Sequence, residues 1–476
     1  MKQISLFLIL LLLLSPIQAQ DFLSNNSGLV SIKDGAYLSV VGDIYLENNG
    51  VFDNSDSIFF TQDWINNAGN TGFSSIGEGY VYLIGDNDQR IRGLDETHYH
   101  NLLLRTSGIK YGDLDVYVDG FLDLAFLEMN MDTNVVYVTN PDLSSVVNSI
   151  GFVSSLENGG LSRVTNVDGA YFFPVGSSIF GTIYRPLEVS TTTSPQTYRA
   201  RFADSDATLE GFDRDERALL ICDINDRYYH KIWQDMGSDS VDIRFFYESA
   251  VDGTQWNDIV HWQNVPEWQQ APADSQFVLG SWDILDVYNW NDFTTPNFAL
   301  AFTKPSFAFA GNDTTIYLLD TLQLNASGGS FYTWEPAYPL SCVDCQDPLF
   351  WHDSTATVWV LVEDLDNCKD IDSITVTVDE RYTEGEGPFI PSGISPNGDG
   401  VNDFWYIRWL YRYPDNKVTI LNRWEDVVYE AGPYENDWYG TYNGEELPEG
   451  TYYYILGIFE NGEQTQNYTG PITILE

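Results

Sequence analysis

The chain has 476 residues, with 22 Lys plus Arg against 70 Asp plus Glu, and carries a formal charge of -48. That length exceeds what one hydrophobic core serves and predicts three or four domains of roughly 100–200 residues each. The charge excludes nucleic acids and anionic lipid surfaces as partners, since both repel it, and suits a soluble extracellular protein.

Residues 1–19 hold one cation at Lys2, an apolar run from Leu6 to Leu14 and a small residue at Ala19. This is the layout of a removable secretory signal peptide. The run is shorter than the about 20 apolar residues that span a bilayer, and no later segment reaches that length. The first cysteine is Cys222, so no lipid-anchoring cysteine follows the run. Beyond it, helical periodicity is nearly absent, and short alternating runs bounded by Gly, Asn, Asp and Pro recur; the fold class is all-β and multidomain.

Residues 20–158 contain GLVSIKDGAYLSVVGDIYLENNG, SIFFTQDWINNAG and GYVYLIGDNDQRIRG. Very short strands with Gly or Asn at the corners predict a β-solenoid-like region, in which stacked rungs bury a narrow core. His98 and His100 fall on one strand face, with Asp95 or Glu96 near by. Surface histidines are the better reading, because no third well-spaced metal ligand accompanies them.

Residues 159–305 have longer alternating runs, such as VDIRFFYES, and predict a Trp-rich β-sandwich. Trp256, Trp262 and Trp268 recur every six residues, a candidate row for stacking on sugar rings. Large aromatics dominate β cores generally, so the competing reading is that they are core residues.

Residues 306–380 end in DSITVTV and hold three of the four cysteines. Cys342 and Cys345 in SCVDC are close enough to close a small disulfide loop; a zinc site would need two more ligands, and His352 is the only one near. Cys222 and Cys368 are either free or a bridge between two domains. The ordered segments AGNDTTI, LQLNASGG, TWEPA and LSCVDC resemble the PKD or Ig-like spacer modules of Bacteroidetes surface proteins. The resemblance implies a spacer or adhesive module, and a cysteine after the first strand as partner for the position of Cys368; this chain has Tyr317 there. Asp-Ser/Thr-apolar triplets such as Asp56-Ser57-Ile58 and Asp372-Ser373-Ile374 resemble the O-glycosylation sequon of the same phylum.

Residues 381–388 form a Glu/Gly linker, and 389–476 the last domain. The motifs PSGISPNGDGVND, ILNRWED, DWYGTYNG and LPEGTYYY resemble, in order, the gliding-motility-associated type B sorting domain of the Bacteroidetes type IX secretion system. The family pattern falls on Ser395, Pro396, Asn397, Gly398, Asp399, Gly400, Asn402 and Asp403, then on Asn422, Arg423 and Trp424. It continues on Trp438, Gly440, Pro448, Gly450, Thr451 and Tyr452. Glu425 departs from it, standing where the family has Gly, and Glu476 replaces a basic or apolar last residue. The resemblance implies export through the general secretory route and then the type IX machinery, with an outer-membrane β-barrel as a candidate partner, to the cell surface or medium.

The Gly398/Gly400 stretch also echoes half a calcium loop, with Asn397, Asp399 and Asp403 as candidate ligands. The bidentate acid at the twelfth position is missing, where Arg408 stands, so an Asx turn without a cofactor is the better reading. GxSxG, HExxH, phosphate-loop and dinucleotide-loop motifs are absent from the sequence. The sequence therefore predicts a non-enzymatic, adhesin-like or matrix protein with an extracellular ligand, a glycan among the candidates. The alternative is a carbohydrate-binding protein or polysaccharide-active enzyme, to be decided by whether the three tryptophans are exposed in one row.

Overall fold

The computed structural model describes residues 21–74, 78–318, 320–379, 387–398 and 402–475. The signal peptide at 1–19, linker residues 381–386, and Asp399 and Gly400 lie outside the described residues. Two compact units divide the chain at Val378 and Asp379.

The first unit opens with a seven-turn parallel β-solenoid. One of its sheets runs Phe22–Asn26, Asp43–Glu47, Trp64–Asn67, Gln89–Gly93, Lys110–Gly112, Glu128–Asn130, Phe152–Ser154. Successive turns stack in register, with Ile44 beside Trp64 and Tyr45 beside Ile65, a step of 20 residues. The strands alternate in burial, as in Val51–Asn54 and Ser57–Phe60. Inward rings pack on one another within and between turns; Trp64 and Phe73 of one turn lie 5.2 Å apart and nearly parallel, and Phe52 of the preceding turn lies 6.0 Å from Phe73.

So narrow a coil buries the backbone at its corners, and each buried polar group there needs a partner. Asparagines provide them. Asn66, fully buried, donates to Asn70 O and to Glu96 O, and accepts from Ala68 N. Asn25 likewise donates to Gly28 O and Val51 O. At another corner Gln89 donates to Phe60 O and Gln62 O. Stacked on Gln89 in register is Lys110. Its Nζ, wholly enclosed, donates to Gly85 O (2.9 Å), Asn87 O (3.4 Å) and Ser107 O (2.6 Å).

The second solenoid sheet does not stop at its last turn. Gly160–Thr165 pairs in parallel with Val135–Val138 on one side and antiparallel with Gln196–Ala203 on the other. The sheet then continues through Tyr229–Met236, Asn297–Thr303, Asp258–Trp262 and Trp268–Gln270 to a total of 14 strands. A five-stranded antiparallel sheet, from Gly169–Phe173 to Ser275–Leu279, accompanies it, and one apolar core runs from Ile32 to Leu300. Arg163 is buried at this junction with no ion pair among the described residues; it donates to Phe172 O, Asp142 O, Leu143 O and Ser145 Oγ.

Residues 306–379 add a four-stranded sheet and a short strand pair around Trp334, Phe350 and Val360. They are fastened to the preceding sheets by the Cys222–Cys368 disulfide, by Leu220 N donating to Lys369 O, and by Lys304 Nζ at 2.6 Å from both Asp364 and Asp366. Asp370 caps the entry, accepting from Ser306 Oγ and the amides of Phe307 and Ala308. Cys342 is bonded to Cys345.

The second unit is a five-stranded sheet in the order Gly393–Ile394, Glu463–Ile474, Gly450–Glu460, Asn416–Leu421, Val427–Ala431. It closes on Trp405, Trp438 and Tyr434. Trp405 Nε1 donates to Pro391 O, and Tyr434 Oη donates to Trp405 O. Among the described residues no helix is long and apolar enough to cross a membrane.

Candidate functional site

The sequence motifs of the second unit separate into two places. In the first, Ser395 N donates to Asn402 O, and Gly398 N to Asp403 Oδ1 at 2.8 Å. The Asp403 carboxylate thus serves the turn's own backbone. Gly440 has φ of +78°, with Ile394, Ile474 and Pro396 about its α-carbon. Trp438 is buried, its Nε1 bonded to Thr441 O. Both positions shape the core. Among the described residues no group of three His, Cys, Asp or Glu is placed to hold a metal; Asp399, one of the three candidate calcium ligands, lies outside them.

In the second place, two segments converge on a groove of about 480 Å³, lined by Asn422–Trp424, Asp426–Val428, Tyr442 and Leu447–Tyr452. Antiparallel pairing creates it: Leu421, the last residue of its strand, lies beside Tyr453 on one side and Val427 on the other. The turn between Leu421 and Val427 is drawn tight by Asn422, whose Oδ1 accepts from the amides of Trp424 (2.9 Å) and Asp426 (3.0 Å). Asn422 Nδ2 also donates to the Asp426 carboxylate, at 3.2 Å. Glu425 closes the turn with φ of +69°. That is the left-handed region glycine adopts without penalty, so a glycine here would be the less strained residue.

On the opposite wall, Tyr452 is buried and its hydroxyl donates to Pro448 O. Gly450 on this wall has φ of +145°, a backbone conformation that side-chain-bearing residues rarely adopt. Trp424 projects 72% exposed, with the Arg423 guanidinium 5.2 Å from its ring centre. Of the lining residues, the ordered motifs of the sequence held Asn422–Trp424, Asp426, Tyr442 and Leu447–Tyr452. The fold adds Val427 and Val428 and brings the separate motifs to one groove.

Residues 389–474 match the CHU_C Type IX secretion signal domain. The chain carries a type IX sorting domain. It is therefore a protein secreted through the type IX system to the cell surface or the extracellular space. No curated protein matches it. Among solved structures it is similar to dimeric latent PorU from Porphyromonas gingivalis, at 10% identity over 55% of this chain and 34% of that one. The TM-score is 0.13, too low to carry an argument, and the chain spans about a third of that protein's length.

The candidate glycan row is corrected by the fold. Trp256, Trp262 and Trp268 are all buried, at 3%, 8% and 0% exposure. Trp256 Nε1 donates to Asp252 O, and Trp262 and Trp268 face each other across a hairpin with ring centres 5.4 Å apart. Spacing of six on a chain that turns back on itself brought the rings inward, so no ring face is left for a sugar. His98 stacks on Tyr117 at 4.2 Å, and Tyr117 on Tyr137 at 4.8 Å, so these rings cover one another's faces. His98 Nδ1 lies 3.7 Å from Asp119.

Proposed function

We propose that the exported chain is a non-enzymatic, adhesin-like or matrix protein that meets an extracellular ligand through its solenoid and sandwich, with residues 306–380 as a PKD or Ig-like spacer. The observation that carries this reading is the unbroken core from Ile32 to Leu300 in a chain bearing a sorting domain. A preformed β surface of that length binds by area rather than by closing around a substrate. The buried titratable groups support it, being spent on structure. His230 Nε2 contacts Arg185 O at 2.9 Å, and burial lowers its imidazole to about 4. His261 Nε2 contacts Thr295 O, and Asp252 forms a buried ion pair with Arg185 at 2.7 Å.

The polysaccharide-directed alternative has lost the exposed tryptophan row that favoured it. The test is a strain lacking this chain, compared for attachment and matrix cohesion with the same strain complemented by it. Weaker attachment, restored by complementation, is expected. Unchanged attachment together with polysaccharide cleavage by the purified protein would overturn the reading.

A further inference from the structure

We propose that the groove between Asn422–Val428 and Leu447–Tyr452 is the surface by which the type IX machinery grips this chain. Its occupant is an extended peptide segment of that machinery presenting a carboxylate beside an apolar side chain. The proposal rests on the export reading and adds to it where, and by what chemistry, the domain is held.

Arg423 carries the argument. In a chain with 70 acidic and 22 basic residues, arginines readily find internal carboxylates. Arg90 pairs with Asp113, Arg105 with Asp123, and Arg199 and Arg244 are each held in a fork by Asp235 and Asp286. Arg423 makes no hydrogen bond or ion pair among the described residues, although acids flank it. Asp426 is tied back to Asn422, and Glu449 stands on the opposite wall beyond salt-bridge distance. The exposed guanidinium instead rests by the indole of Trp424, with its planar set of N–H donors free of partners among the described residues. Such a fork matches a carboxylate in two parallel bonds.

Beside it Trp424, Val427, Leu447 and Pro448 give the groove an apolar side. An exposed tryptophan next to an arginine is the composition of a binding hot spot rather than of ordinary surface. A free phosphate or sulfate would satisfy the guanidinium but leave the indole and Leu447 in water. An acidic and apolar peptide satisfies both.

The experiment uses the full chain, expressed in a type IX-competent strain and in a secretion mutant, with export read as the ratio of surface and medium to periplasm. Variants are Arg423→Gln, Arg423→Lys and Trp424→Ala, with Arg412→Gln outside the groove as control. Melting of each purified variant reports folding; both groove side chains are exposed, so unchanged melting is expected. Machinery-dependent export of the wild type and of Arg412→Gln is expected, with a loss of about tenfold or more for Arg423→Gln and Trp424→Ala. Arg423→Lys, which keeps the charge and loses the fork, falls between. If the wild type needs the machinery and Arg423→Gln and Trp424→Ala leave as well as it does, the groove proposal alone is overturned. If wild-type export is the same in the secretion mutant, the export reading fails and the groove proposal falls with it.

Discussion

The enclosed ammonium of Lys110 makes solenoid stability depend on pH in an unusual direction. Burial lowers its pKa from 10.5 to about 8, although Asp88 and Asp86 pull it upward. Because the folded value lies below the unfolded one, the unfolded chain binds the proton more tightly between those limits. Stability therefore rises with pH across that window, as proton linkage requires. The full shift corresponds to a ceiling of about 3 kcal/mol. Only part of that shift is titrated between about pH 7.5 and 9.5, so the gain there is about 1–2 kcal/mol. The window is kept below the range of the buried phenols Tyr99 and Tyr228, whose raised pKa values act in the opposite sense. Lys110→Met abolishes this slope. It also leaves Ser107 O and Asn87 O without the donor they have in Lys110, a loss of about 1–3 kcal/mol per buried orphan group. The assay is hydrogen exchange of peptides covering Gln89–Gly93 and Lys110–Gly112, corrected for intrinsic exchange. The same pH dependence in wild type and variant would refute the reasoning.

Replacing Cys222 and Cys368 together by Ser opens a loop closed across 146 residues, for which chain entropy gives a ceiling of about 5 kcal/mol. Calorimetry should then resolve earlier unfolding of residues 306–379, and an unshifted profile would contradict the clamp. Glu425→Gly relieves a left-handed backbone and is expected to stabilise the sorting domain by about 1 kcal/mol without reducing export; a lower urea midpoint would count against it. Trp268→Ala removes a fully buried ring at a cost of about 3–5 kcal/mol. It should lower the melting temperature, whereas loss of glycan retention at unchanged melting would restore the sugar-binding reading.

Local pattern was enough for the parts of this protein that depend on neighbours in sequence. Alternation in Val51–Asn54 and Ser57–Phe60, with Asn and Gly at the corners, specifies short stacked strands because side chains on a strand take opposite faces. The ordered motifs from Ser395 to Tyr452 identified the sorting domain, which the family match at 389–474 independently supports. What the tertiary structure alone decided depends on segments far apart in the chain. Gly160–Thr165 takes a parallel neighbour on one side and an antiparallel one on the other, so solenoid and sandwich share a core that no local signal marks. Cys222 meets Cys368 because Leu220 and Lys369 are bonded across the same contact. Six-residue spacing could not say which way Trp256, Trp262 and Trp268 face, because a hairpin and not a straight strand carries two of them. Arg423 and Gly450 share a groove only because the strands on either side of them pair, and pairing is a property of the folded sheet, not of either segment by itself.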